Sequence, residues 1–194
     1  MIAVAITGSY ASGKTFMLNY LADRGFKTFS ADQCVKNLYK NSEIQNKVLT
    51  LLPELEEFDR AKIVELIYNN DLARIKLQDF IHPFVREQVD HFKKQHQSEN
   101  FIFAEIPLLF ETGFSKNFDF YITTFCKEET RIKRASAREY FDLKIYNKIE
   151  QIQLPQQMKM EKADFIINTD ANMLEFDDQI INLIKKLECS HFVK

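Results

Sequence analysis

Gly8-Ser9-Tyr10-Ala11-Ser12-Gly13-Lys14-Thr15 is a complete GxxxxGK[ST] match, set between the apolar stretch MIAVAIT and KTFMLNYLADR, which carries apolar residues at helical spacing. A strand, a glycine turn and a helix in this order aim successive backbone N–H groups inward, with the positive end of the helix behind them. The glycines permit those backbone angles, Lys14 adds a full charge for β- and γ-phosphates, and the Thr15 hydroxyl suits Mg²⁺. The pattern therefore predicts a site for a nucleoside triphosphate with Mg²⁺. Only four glycines occur in 194 residues, where ordinary usage gives about fourteen, so the presence of two in this loop reflects position rather than composition.

The rest of the chain follows the same alternation. FKTFS, FIFAEI (101–106), DFYITTF (119–125) and ADFIINT (163–169) read as four more strands, with helices at about 14–24, 128–138 and 171–188 and a charged helical stretch over 139–162. Residues 33–97 read as helical throughout, with Asp71 capping its own helix and Pro83 kinking or restarting the chain at His82. Five strands alternating with helices predict an α/β three-layer fold around a parallel sheet. Twenty-six Lys+Arg against 28 Asp+Glu, a net charge of -2, provide no basic field for nucleic acid. No apolar run approaches the roughly 18–20 residues that span a bilayer, and the opening MIAVAIT is expected to be the first strand rather than a signal peptide. Three cysteines without CxxC or a zinc-like Cys/His spacing indicate neither a disulfide framework nor a metal site, and fit a reducing cytoplasm. His91 and His96, five apart, make no metal pair.

GTPase motifs (NKxD, DxxG) and an LSGGQ-like signature do not occur, leaving a small-molecule kinase, another nucleotide kinase of similar architecture, or a non-catalytic P-loop binding protein. A carboxylate placed for an acceptor hydroxyl would discriminate among them. Asp32 ends the second strand, and in an open parallel sheet such ends share the crevice of the loop. Its other reading is the N-cap of a helix starting at Gln33, and both stay open. Glu105 ends FIFAE, either as a Walker-B-like partner to magnesium or as a solvated strand-end carboxylate. His82 with Arg86 suits an acceptor's phosphates or forms a helix-kink pair with a solvated arginine, and Arg74 is a further candidate. Arg131, Arg134 and Arg138 share one helix face at i, i+3, i+7 spacing, which suits several phosphate oxygens.

GSYASGKT, FSAD, FDRAKIVELIYNNDLARIKLQDFIHPFVRE, IPLLFE, EETRIKRASARE, QLP and ADFIINTD occur together in the order found in dephospho-CoA kinase, and nearly the whole chain resembles that family. The resemblance implies a P-loop kinase core over residues 1–194 with a helical CoA-binding insertion at 31–97 and a lid at 136–155. It implies MgATP-dependent phosphorylation of the ribose 3′-hydroxyl of dephospho-CoA. By the same resemblance Lys14 and the loop through Ala11, Ser12, Gly13 and Thr15 hold ATP, Asp32 faces the acceptor hydroxyl, Arg138 is a lid arginine and Asn168 neighbours the adenine. The family's usual loop is GGIGSGKS, so Tyr10 and Ala11 replace more permissive neighbours here.

Overall fold

The structure, a computed structural model, describes residues 1–138 and 141–191. It divides into two compact units, Met1–Phe29 with His96–Lys194, and Ser30–Gln95. Strands β1 (Ile2–Gly8), β2 (Lys27–Ser30), β3 (Phe101–Glu105), β4 (Phe120–Phe125) and β5 (Phe165–Asn168) form one sheet in the order β2-β3-β1-β4-β5. The β1–β3, β1–β4 and β4–β5 pairs are parallel, with Ile6 opposite Glu105 and Gly8 opposite Thr124. The chain leaves β1 toward the β2 edge and, after β3, crosses to β4 on the other side of β1, so the direction of the connections reverses at β1. Its carboxyl end is thus the crevice where open α/β sheets bind ligands.

The alternation of β1 sets the two faces. Ile2, Val4 and Ile6 join Met17, Leu18 and Leu21 of helix α1 (Lys14–Asp23) and Phe176, Ile180, Leu183 and Leu187 of the C-terminal helix (Met173–His191) in one core. The apolar residues of both helices recur at three- or four-residue spacing, which gives each one stripe to bury. Phe103, fully buried with its ring edge-on to Phe26, belongs to the same core; cutting it to Ala should cost about 3–5 kcal/mol. Ala3 and Ala5 point the other way, and their small side chains leave room for a helix later in the chain, Gln156–Lys162, which packs on β1 and β4. Helix α1 ends as expected at Gly25. The N–H of Gly25 reaches the Ala22 carbonyl and that of Phe26 the Leu21 carbonyl, the paired bonds of a Schellman turn.

The second unit contains α2 (Ala31–Leu38), α3 (Ser42–Leu51), α4 (Arg60–Asn69) and the 25-residue α5 (Asp71–Gln95). Ala73, Leu77, Ile81, Val85 and Val89 form a buried stripe of α5 at four-residue intervals, and α2, α3 and α4 all pack on this helix. One expectation is corrected here, and one of two alternatives is removed. Asn70, not Asp71, caps α5, its side chain accepting from the Ala73 N–H at 3.1 Å, while Asp71 pairs with Arg74 at 2.9 Å. Pro83 does not restart the helix, which runs through it. Proline removes one backbone hydrogen bond, and Ile81 and Val85, buried on either side, hold the helix in register.

In the first unit α6 (Glu128–Ser136) stops two residues earlier than the sequence suggests. The charged stretch after it contains α7 (Leu143–Ile152) and α8 (Gln156–Lys162), separated at Pro155, and α9 (Met173–His191) closes the fold. Residues 139 and 140 of the expected lid lie outside the described residues. A short 3₁₀ turn at Phe114–Asn117 was not expected from sequence.

Candidate active site

Three strand ends support the phosphate-binding loop. The Ser12 and Thr124 hydroxyls meet at 2.7 Å, and Thr124 donates to the Thr7 carbonyl. The Thr169 hydroxyl, just past β5, donates to the Ser12 carbonyl at 2.9 Å. Both loop glycines are demanded by this support. A Cβ on Gly8 would lie 2.6 Å from Ser12 Oγ, and one on Gly13, where φ is +90°, would lie 2.9 Å from the Thr169 side chain. Gly13 is also the N-cap of α1, whose first turn has no acidic residue and no side-chain cap, so its N–H groups suit an anion.

Ala11 takes φ +60° without being glycine, at a cost on the order of 1 kcal/mol. Its methyl is buried with Ala135 and Tyr146, and burying one such group returns about 0.8 kcal/mol. The expected loss of loop permissiveness is therefore largely offset by contact with α6 and α7.

Lys14 is buried, and its ammonium donates to the Gly8 and Ser9 carbonyls at 3.1 and 2.9 Å. Thr15 donates its hydroxyl to Glu105 Oε1 at 2.8 Å. Glu105 is 1% exposed, which overturns the reading of a solvated strand-end carboxylate; the Ile6–Glu105 register carries it to the loop. Mg²⁺ prefers a few oxygen ligands, one or two of them carboxylates, together with substrate phosphates. A hydroxyl and a buried carboxylate in contact beside a lysine fit that ion.

Asp32 stands in the first turn of α2, exposed, and is not a cap. The cap is Ser30, whose hydroxyl accepts from the Gln33 N–H at 3.3 Å. The helix starts at Ala31, one residue before Asp32 and two before the expected start. His82 and Arg86 are neighbours on α5. Burial lowers the His82 pKa, Arg86 lowers it further and Asp79 opposes both. Arg74, two turns earlier and about 12 Å along the axis, is tied to Asp71. Asn168 ends β5, its side-chain oxygen accepting from the Asp170 N–H at 2.9 Å and its backbone bonded to Gln179.

The arginine face is divided among three tasks. Arg131 is 5% exposed and ion-paired to Glu150 of α7 at 2.6 Å, so it is not the phosphate contact its spacing suggested. Arg134 donates to the Thr169 hydroxyl and carbonyl at 2.9 and 2.7 Å, bracing the residue that braces the loop. Arg138 lies beyond the helix end, its guanidinium 4.7 Å from the centre of the Tyr10 ring.

Sequence reasoning missed Lys159. It is fully buried on α8, pairs with Glu111 of PLLFE at 2.9 Å and donates to the Pro107 carbonyl at 2.9 Å and the Gly8 carbonyl at 3.4 Å. Burial pulls its pKa down, and Glu111 pushes it back. Glu111, which closes PLLFE, is visible in the sequence, but nothing there marks it as buried or names its partner. Thr124 and Thr169 carry no signal either, since strand-end threonines are common.

Comparison with known proteins identifies the family. The family described as "CoaE: Dephospho-CoA kinase" matches residues 2–175. The dephospho-CoA kinase of Rickettsia bellii is 57% identical over 189 residues, spanning 97% of this chain and 99% of that protein; that of Rickettsia prowazekii is 54% identical over the same share of each. Among solved structures, the dephospho-CoA kinase from Campylobacter jejuni is 29% identical with a TM-score of 0.66 over 97% of this chain and 98% of that one. TT1252 from Thermus thermophilus, 23% identical with a TM-score of 0.82 over 95% and 96%, shares the fold. The five-strand order with its loop at the end of β1 is a P-loop α/β fold, and with the match running from residue 2 to residue 175 this chain belongs to the dephospho-CoA kinase family.

Proposed function

We propose that this chain transfers the γ-phosphoryl group of ATP to the ribose 3′-hydroxyl of dephospho-CoA, giving coenzyme A and ADP. The observation that carries the reading is the Thr15–Glu105 contact beside Lys14 at the end of β1. The loop from Gly8 through Ala11, Ser12 and Gly13 supplies N–H groups to the phosphates. Lys14 leaves its own loop carbonyls to compensate β- and γ-phosphate charge. Thr15 and Glu105 are the residues that would hold Mg²⁺, which when bound neutralises charge on the phosphate oxygens. Asn168 lies in the segment assigned to the adenine.

A ribose hydroxyl is too weak an acid to be ionised beforehand. Asp32 therefore orients it in line and takes its proton as the new O–P bond forms and the bond to ADP breaks. Arg138, from a lid at 136–155, stabilises the oxygens of the group in transit. The helices of 31–97 form the acceptor-binding insertion, with Arg86 and Arg74 supplying charge and His82, its pKa lowered by burial, a neutral donor. Three free cysteines and no described helix long and apolar enough to cross a membrane fit a cytoplasmic location. ATP consumption measured side by side with dephospho-CoA, AMP, CMP and pantothenate tests the reading. Turnover confined to dephospho-CoA is expected, and preference for any of the other three would overturn it.

A further inference from the structure

Tyr10 is half-buried in the phosphate-binding loop, two residues after Gly8 and four before Lys14. Two side chains meet its ring, and the ring packs on a small buried cluster. Tyr146 of α7 meets it edge-on, with centroids 6.0 Å apart and planes at 65°. The next residue, Ala11, is locked at φ +60° with its methyl buried against Ala135 and Tyr146, and Phe141 packs on the same cluster. The Arg138 guanidinium lies over the ring, 4.7 Å from its centre. The backbone of Arg138 is anchored as well, its N–H donating to the carbonyl of Ala135 at 3.0 Å, and Ala135 is itself a member of the cluster. Arg131–Glu150 ties α6 to α7 behind it.

A long exposed arginine samples many rotamers, and fixing one costs entropy. A ring face beside the guanidinium narrows that choice by cation–π attraction without consuming a single N–H donor. All five donors stay available for phosphate oxygens. From this geometry we infer that Tyr10 is a positioning residue: it holds the Arg138 side chain at the loop before nucleotide arrives, so that the arginine is preorganised for phosphoryl transfer. The inference rests on the reading of Arg138 as the lid arginine. It assigns the loop itself a part in placing that arginine, through a residue whose side chain the phosphate-binding motif leaves unspecified.

The test is a double-mutant cycle in the full-length enzyme, with kcat, KM for ATP and melting temperature measured for each variant. Tyr10→Phe keeps the ring and should stay within two-fold of wild type. Tyr10→Leu keeps apolar bulk but loses the ring face, and should lower kcat about three- to ten-fold with KM for ATP little changed. Tyr10→Leu combined with Arg138→Ala should be no slower than Arg138→Ala alone, because the tyrosine acts only through the arginine. Should Tyr10→Leu not fold, Tyr10→Met, which fills the same gap without a ring, takes its place. If Arg138→Ala is slow while Tyr10→Leu matches or exceeds wild type, or if the two losses multiply, the positioning role is wrong and the reading of Arg138 stands. If Arg138→Ala matches wild type, that reading fails and takes the inference with it.

Discussion

Asp32→Asn separates chemistry from stability, because the structure assigns the cap of α2 to Ser30. The substitution keeps the size of the side chain and removes its charge from the first turn of the helix. An exposed carboxylate there interacts with the helix dipole by about 0.3–1 kcal/mol. In a chain of this length 1 kcal/mol shifts Tm by about 2–4 °C, so Asp32→Asn should melt no more than about 4 °C below wild type. Ser30→Ala removes a cap worth about 0.5–2 kcal/mol; its 3.3 Å bond is long and argues for the lower part of that span. Activity should move the opposite way. Losing one acid–base group costs about 10²- to 10⁴-fold in kcat, or about 2.7–5.5 kcal/mol of barrier. Ser30→Ala should keep kcat within a few-fold, and Asp32→Asn should lose it while ATP affinity is unchanged. Steady-state kinetics with dephospho-CoA and thermal melts of both variants check this. An Asp32→Asn enzyme within a few-fold of wild-type kcat would remove Asp32 from the mechanism.

Lys14→Ala should abolish transfer with the fold intact, since the ammonium's bonds to Gly8 and Ser9 lie within its own loop; retained turnover with a normal melt would contradict the loop assignment. Glu105→Gln removes a carboxylate charge from beside Thr15, so half-maximal activity should require at least about ten-fold more Mg²⁺, and an unchanged Mg²⁺ titration would place the ion elsewhere. His82, with its pKa lowered by burial and by Arg86, binds a proton more weakly folded than unfolded. Its contribution to stability is therefore complete above about pH 6.5 and is lost as pH falls through the lowered folded value. His82→Gln should flatten the fall in Tm below pH 6.5, and an equal slope in both proteins would show that other groups cause it.

Much of this was legible in the chain. The loop between strand and helix, the five strands and the helical run of about 33–97 announce themselves through local patterns of two, 3.6 and eight residues. What failed was of two kinds. The cap of α5 moved from Asp71 to Asn70, and α2 began at Ala31, because adjacent residues competed for one role and packing chose between them. The second kind is non-local. The shared helix face holds for Arg131 and Arg134 only, since α6 ends at Ser136 and Arg138 lies beyond it, and whether an arginine meets a phosphate or a Glu150 depends on what a later helix brings opposite it. Lys159 could not be singled out among the lysines around it until α8 was seen to lie over Ala3 and Ala5.

The Gly8 carbonyl accepts from two ammonium groups, Lys14 and Lys159, and this double occupancy bears on the energetics of nucleotide capture. A carbonyl buried with one donor would be stranded when that donor left, at a cost of about 1–3 kcal/mol, charged against affinity for the triphosphate. Here Lys159 stays behind, fixed by Glu111 and the Pro107 carbonyl, so the departure of Lys14 leaves the oxygen partnered. On the proposed role of Lys14, its move to the phosphates would exchange bonds while the Gly8 carbonyl keeps Lys159 as its partner. A cell that must bind and release ATP at every turnover is served by that neutrality, since a resting contact too strong to surrender would slow each round as surely as a weak site.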